Sequence, residues 1–227
     1  MKKLVLAVAL TSVLSACATD DPNQRAKMGA ATGAVAGAVL GHSIENDKGG
    51  LLIGAAVGAL AGAGIGSYMD NQQQEMEAAL AEEQANHDIE VRRLQDESLK
   101  IDISSEISFD FGSASLKPAF MPTLQKVADI LIRYPRTVIH VVGHTDSVGS
   151  ESYNIELSRH RAQSVVNYFV LQNISQSRLV TVGRGESEPR ATNETEAGRQ
   201  LNRRVEIYVK PVIEGQESEA YETPKEF

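Results

Sequence analysis

Residues 137–171 decide the fold of the C-terminal half of the chain, and they run TVIHVVGHTDSVGSESYNIELSRHRAQSVVNYFVL. Residues 137–142 are mostly apolar and β-branched, which predicts a short buried strand. A polar turn follows, and residues 153–171 then carry apolar side chains at helical spacing. The pattern predicts a strand, a loop and a helix, with Asp146 at the exposed carboxyl end of the strand.

The segments around this unit extend the alternation of strands and helices. Strands are predicted at 89–94, 99–103, 179–182 and 205–209, and helices at 117–134 and 196–200. This alternation is typical of an α/β sandwich, in which helices cover one face of a mixed β-sheet. The sequence therefore predicts a domain over residues 89–212, which is long enough to bury a core.

Asp146 and Arg161 are the candidate binding residues of this domain. Arg161 lies in the helix after the strand, so the loop can bring an anion and a cation to one side of a cleft. A carboxylate accepts hydrogen bonds from an ammonium group, and a guanidinium donates a bidentate pair to a carboxylate. The two residues therefore predict a site for a zwitterion. A direct salt bridge between them, without a ligand, is the alternative.

Four motifs give the domain a family resemblance. They are FDFGSASL at 109–116, GHTD at 143–146, the helical segment 154–165, and the segment 183–206 with GRGE and NRRVE. Their order and spacing resemble the OmpA-like peptidoglycan-binding domain. The resemblance implies that the ligand is diaminopimelate of the peptidoglycan stem peptide, which offers an ammonium and a carboxylate on one carbon. It also implies ligand contacts from Asp146, Arg161, Asn154, Leu157, Phe109, Gly112 and Arg204.

Three positions leave the chemistry of the groove open. Gly112 stands where some members of the family have Asn, so contact there is lost or comes from the backbone. Val148 stands where other members have Thr, so a polar contact with the ligand at this position is left open. Arg204 either faces the groove or forms an ion pair with Glu206 or Glu186.

The composition excludes several other functions. The chain has 22 Lys and Arg against 30 Asp and Glu, a formal charge of −8, which argues against nucleic acid as a partner. One cysteine, and histidines without metal-ligand spacing, predict no disulfide framework, metal site or cofactor. His144 is predicted to be a hydrogen-bonded structural residue, because no nucleophile is evident beside it. We therefore expect a binding protein and not an enzyme.

The N-terminus predicts export and lipid attachment. Residues 1–16 combine two lysines, a short apolar run and small residues, as in a signal peptide; a core helix or strand is the alternative. The sequence LSAC at 14–17 resembles the bacterial lipobox. This implies lipid on Cys17, including an acyl chain such as palmitate, ahead of a linker over 17–27. Ala18 instead of Asp after the cysteine implies the outer membrane, with the C-terminal domain in the periplasm.

Residues 28–69 contain two glycine ladders. Glycine recurs every four residues over 29–41 and again over 50–66, with a polar turn between. This spacing places the glycines on one helix face, where two helices can approach closely. The segment resembles the glycine zipper of some envelope lipoproteins. It predicts a helical hairpin that inserts into the membrane, forms a homo-oligomer, or both; a flexible linker is the alternative.

The remaining segments are predicted to be solvated. Residues 70–88 are rich in Gln, Glu and Ala and predict a spacer helix, and residues 213–227 predict a disordered acidic tail. The whole chain is expected to tether the outer membrane to the cell wall by binding peptidoglycan without cutting it. The alternative is a membrane-embedded oligomer of glycine hairpins, which the C-terminal domain only positions.

Overall fold

The computed structural model describes residues 48–110 and 112–224. The predicted signal peptide, Cys17, the linker over 17–27 and the first glycine ladder lie outside these residues. The helices are α1 (Lys48–Ala79), α2 (Ala81–Ala85), α3 (Ser105–Ser108), α4 (Met121–Arg133), α5 (Glu151–Leu171), α6 (Glu196–Asn202) and α7 (Glu217–Tyr221), with 3-10 turns at Pro118–Phe120 and Gln176–Arg178. The strands are β1 (Ile89–Arg93), β2 (Leu99–Ser104), β3 (Thr137–His144), β4 (Leu179–Gly185) and β5 (Arg204–Pro211).

The chain divides into two compact units, Met1–Ser67 and Tyr68–Phe227. Across the described part of the chain, no helix is both long enough and apolar enough to cross a membrane.

A five-stranded mixed sheet forms the centre of the second unit, in the order β1-β2-β5-β3-β4. Strands β1, β2, β5 and β3 pair antiparallel in that order, and β4 lies parallel to β3. A parallel neighbour requires a crossover connection, which α5 provides between β3 and β4. The predicted α/β class is therefore confirmed.

Two glycines let α5 pack directly on the sheet. A β-carbon added at Gly143 in β3 would lie 2.1 Å from the carbonyl oxygen of Ser158, and one at Gly183 in β4 would lie 2.7 Å from Cβ of Arg159. Oγ of Ser158 also accepts a hydrogen bond from the backbone N–H of Gly185 at 2.9 Å. These contacts hold α5 against the carboxyl ends of β3 and β4, and so position the candidate site residues on the helix.

The segment 70–88 is not a solvated spacer, which corrects the expectation from the sequence. Met69, Met76 and Leu80 are completely buried in the second unit. They recur at helical spacing, but two glutamines share their face and mask the apolar period in the sequence.

Ion pairs reinforce this packing. Nη2 of Arg133 in α4 lies 2.7 Å from Oε2 of Glu75, and Nζ of Lys126 lies 2.8 Å from Oε1 of Glu83. The compact unit accordingly begins at Tyr68 and not at the predicted domain boundary, residue 89.

Residues 213–224 of the C-terminal segment are folded, which corrects the expectation of a disordered tail. Ala220 in α7 is buried, and Nε2 of His140 in β3 donates to its carbonyl oxygen at 2.7 Å. Nζ of Lys210 donates to the carbonyl oxygens of Glu219 and Glu222 at 2.9 and 3.1 Å. Most of these contacts are made to backbone carbonyl oxygens, which every residue has. The sequence of the segment therefore shows no apolar period that would predict its packing.

Deleting residues 213–227 is expected to lower the melting temperature of the second unit by several degrees. The deletion leaves the buried ring of His140 without its carbonyl partner, and an unsatisfied buried group costs about 1–3 kcal/mol. It also removes two exposed hydrogen bonds of Lys210, which water can replace. Thermal unfolding followed by circular dichroism measures the change. Glu222→Gln removes a charge but keeps the carbonyl, so it should unfold like the wild type. An unchanged melting temperature in the truncated chain would show that the tail is not packed.

Candidate functional site

Asp146 lies in the loop between β3 and α5, and hydrogen bonds to its carboxylate and to its carbonyl oxygen hold it in place. Its Oδ1 accepts a hydrogen bond from the N–H of Val148 at 3.0 Å. Its carbonyl oxygen accepts from Nδ2 of Asn154 at 3.2 Å. At the end of this loop Oγ of Ser150 caps α5 by accepting from the N–H of Tyr153 at 3.2 Å. The carboxylate is therefore fixed by one oxygen, and Oδ2 is left for other partners.

Arg161 extends inward from α5, and only 4% of the residue is exposed. Its Nε donates to the carbonyl oxygen of Ser113 at 2.9 Å, and its guanidinium carbon lies 5.3 Å from the centre of the Phe109 ring. Burial lowers the pKa of Arg161, although the charges of Tyr153 and Asp146 act in the opposite direction. Within the residues that the structure describes, Arg161 forms no ion pair, so its terminal nitrogens are available to a ligand carboxylate.

The direct salt bridge between Asp146 and Arg161, which the sequence left open, is not formed. Oδ2 of Asp146 instead accepts from Nη1 of Arg203 at 2.8 Å. Nη2 of Arg203 also lies 3.0 Å from Oε1 of Glu106 and 2.9 Å from Oε1 of Glu196. Burial acts to lower the pKa of Arg203, but these hydrogen bonds raise it above its ordinary range.

Sequence analysis named Arg204 for the groove, whereas the structure places Arg203 beside Asp146. Arg204 opens β5 with its side chain buried, and its Nε donates to Oε1 of Glu206 at 2.6 Å. This is one of the ion pairs that the sequence left as an alternative. Because side chains alternate along a strand, Arg204 and Glu206 share one face of β5, whereas Arg203 precedes the strand at the C-terminus of α6. That alternation is the signal that distinguishes the two arginines.

Glu206 is the centre of a buried polar cluster on the face of the sheet opposite α5. Nζ of Lys100 and the hydroxyl of Tyr208 lie 2.8 and 2.7 Å from its carboxylate oxygens, and Nε2 of His144 lies 3.3 Å from Oε2. Burial acts to raise the pKa of Glu206, but His144, Arg204 and Lys100 hold it well below its usual range. His144 thus lies among structural charges, inside the fold.

Phe109, Gly112 and Ser113 form a wall beside Arg161. Phe109 is buried, and Gly112 has a φ of 65°, a left-handed conformation that favours glycine. A β-carbon at Gly112 would lie 3.7 Å from the phenol oxygen of Tyr153, so the wall closely approaches α5. Tyr153 is 49% exposed, and sequence analysis did not assign it to the site. An exposed tyrosine at the start of a helix belongs to no charge pair or apolar period, so the sequence does not indicate that it lies at the site.

The other two predicted residues lie on α5. Asn154 is buried, and its Nδ2 donates to Oε2 of Glu186 at 2.5 Å as well as to the loop. Leu157 is half-buried one turn further along. The structure therefore places the predicted residues on α5, on the β3–α5 loop and in the wall beside Arg161, with the exception of Arg204.

The site has no metal-binding arrangement among its own residues. Over residues 48–110 and 112–224, no group of three or more His, Cys, Asp or Glu is placed to hold a metal ion. What the described side chains offer is a hydrogen-bonded carboxylate and a buried guanidinium at one end of the sheet.

Two family models match the chain. The model of the OmpA family matches residues 108–203, and the model of the YMGG-like Gly-zipper matches residues 1–70. The first match covers all the predicted site residues except Cys17 and Arg204. The second covers the glycine ladders.

Known proteins resemble the chain over different lengths. The probable lipoprotein YiaD of Escherichia coli is 39% identical over 191 residues, which are 83% of this chain and 85% of YiaD. The peptidoglycan-binding protein ArfA of Mycobacterium tuberculosis is 44% identical over 103 residues, 45% of this chain and 32% of ArfA. Among solved structures, the cell wall anchor of the T6SS from Pseudomonas aeruginosa matches with a TM-score of 0.55 and 30% identity, over 61% of this chain and 99% of that one.

Proposed function

The chain belongs to the OmpA family, and we propose that it binds peptidoglycan through the diaminopimelate of stem peptides and tethers the outer membrane to the cell wall. The observation that carries this proposal is Arg161, a buried guanidinium without an ion-pair partner among the described residues. Removing a charge from water without a partner is unfavourable. A ligand carboxylate would supply that partner, and it would find the guanidinium already held by Ser113 and Phe109.

Diaminopimelate fits this arrangement because one of its carbons carries both charged groups. In the proposed complex the carboxylate pairs with Arg161 and the ammonium with Asp146. Asn154 holds the loop of Asp146 in place, and Leu157 lines the groove beside it. Gly112 brings the backbone of the wall close to the ligand, next to Phe109. Arg204 supports the site from within the buried cluster, without touching the ligand.

Cleavage is not part of the proposal, and the binding is expected to be reversible. Only two charge contacts must offset the freedom that the ligand loses on binding, so the affinity of a single site is modest. The wall offers many identical stem peptides to chains confined in one membrane, so the overall attachment exceeds the affinity of a single site.

Co-sedimentation with two kinds of peptidoglycan tests this function. Lysine-type peptidoglycan has lysine where the other type has diaminopimelate, and lysine lacks the second carboxylate that Arg161 is proposed to bind. The full chain in detergent should therefore pellet with diaminopimelate-type sacculi and stay largely in solution with the lysine type. Equal binding to both types would exclude the proposed role of Arg161, and binding to neither would remove the wall-binding function.

The membrane end of the tether is proposed to be the lipid on Cys17 together with the glycine zipper. The lipobox-like sequence, the Gly-zipper match and the similarity to a protein named as a probable lipoprotein support it. The ladders are further proposed to associate with one another or with lipid. In the same sedimentation assay Cys17→Ala should bind sacculi as well as the wild type does, while the cellular protein leaves the membrane fraction.

A further inference from the structure

Arg203 has a fixed backbone and a side chain shared among several partners. Its N–H donates to the carbonyl oxygen of Arg199 at 3.0 Å, and its own carbonyl oxygen accepts from the N–H of Ser105 at 3.0 Å. The backbone is therefore held at the junction of α6 and β5. The guanidinium is the part that can move between partners.

The three carboxylates around this guanidinium are not equivalent. The side chain of Asp146 is 10% exposed, whereas those of Glu106 and Glu196 are 47% and 65% exposed. Nη1 binds Asp146, and Nη2 binds both glutamates. Arg203 can thus release Asp146 and still keep two ion pairs at the surface.

We propose that Arg203 is an internal competitor of the ligand, which occupies the ammonium position on Asp146 and yields it when diaminopimelate binds. This inference rests on the function proposed above. Oδ1 of Asp146 is already engaged by the N–H of Val148, so Oδ2 is the oxygen that a ligand ammonium requires. The same oxygen is the one that Arg203 holds in this structure.

The contact with Arg203 affects the two halves of a zwitterion differently. An ammonium must displace Arg203 to reach Oδ2 of Asp146, whereas a carboxylate on Arg161 does not meet it. Arg203 thereby competes directly at the ammonium position, whereas at the carboxylate position it acts only through its charge, which contributes to the lowered pKa of Arg161. A ligand with carboxylates but no ammonium groups is therefore the internal control for this mechanism.

Calorimetric titration of the full chain in detergent tests the competition, with diaminopimelate and pimelate as probes. Pimelate has the same carbon chain and both carboxylates but lacks the amines. Arg203→Gln should bind diaminopimelate about three- to tenfold more tightly than the wild type, the range of a partly exposed ion pair, and should bind pimelate no more tightly than the wild type. Arg199→Gln is the matched control, because Arg199 also pairs with Glu196 but does not contact Asp146. It should bind both probes like the wild type.

Each outcome has one meaning. Equal or weaker binding of diaminopimelate by folded Arg203→Gln overturns the competition and makes Arg203 a residue that positions Asp146. A similar gain in Arg199→Gln would assign the effect to net charge and also overturn it. If Arg203→Gln does not fold, Arg203→Lys takes its place, because a single ammonium serves fewer of the three carboxylates and should also bind diaminopimelate more tightly. A wild type that does not bind diaminopimelate contradicts the proposed function itself.

Discussion

Arg161→Gln is expected to abolish binding to diaminopimelate-type peptidoglycan while the protein stays folded. The substitution removes the buried positive charge but retains a polar group near the carbonyl oxygen of Ser113. Truncating one partner of a buried charge pair costs about 2–5 kcal/mol, or a loss of at least about 30-fold in affinity. Co-sedimentation with sacculi measures the loss of binding, and thermal unfolding confirms that the fold is retained.

Two further variants separate the geometry of Arg161 from its charge. Arg161→Lys keeps the charge but cannot donate the bidentate pair, so its binding should also be severely reduced. Arg159→Gln is the matched control, because the guanidinium of Arg159 is exposed and pairs with Glu156 at the surface; it should bind like the wild type. Retained binding in Arg161→Gln would show that the ligand carboxylate is held elsewhere.

Gly143→Ala is expected to destabilise the second unit by about 3 kcal/mol or more, the upper range for overpacking in a core. The added β-carbon would lie 2.1 Å from the carbonyl oxygen of Ser158 and 3.1 Å from its Cα. Backbone atoms of a packed helix cannot rotate away, so α5 must move from the sheet. Because α5 carries Arg161, wall binding should fall together with stability. Chemical denaturation, followed by circular dichroism, measures the free energy of unfolding.

Gly64→Ala provides the same chemical change in open space, since among the described residues no atom beyond the adjoining helix backbone lies within 4 Å of a β-carbon there. Alanine also favours a helix over glycine by about 1 kcal/mol, so this variant should unfold no more easily than the wild type. Wild-type stability in Gly143→Ala would mean that α5 does not rest on β3 as described.

Much of the site was predictable because its residues lie at element boundaries that local patterns reveal. The strand over 137–142 and the polar turn after it place Asp146 at the end of β3, whatever the rest of the chain does. Helical spacing likewise directs Arg161 inward. The family resemblance identified the expected ligand, diaminopimelate, which neither residue spacing nor composition indicates.

The partners of these residues were not predictable in the same way. The choice between a direct Asp146–Arg161 salt bridge and separate charges depends on Arg203, which lies 57 residues beyond Asp146 in the chain. Only the packing of α6 and β5 beside the β3–α5 loop brings that guanidinium to the carboxylate. The motif that contains Arg204 is compatible with both the groove and an ion pair, and strand alternation places its side chain in the buried cluster with Glu206.

The sequence by itself determined the class of the fold, the order of its strands and helices along the chain, and the two charges proposed to bind a zwitterion. Periodicity and turn residues are local patterns that extend over a few positions, so strands and helices can be recognised from them without a structure. The tertiary structure decided that residues 70–88 and the acidic tail pack on the domain, and that Asp146 is occupied by Arg203. Those outcomes depend on contacts between segments that are distant in the sequence. Many of these contacts involve backbone carbonyls and charged groups, and no local sequence pattern specifies their partners.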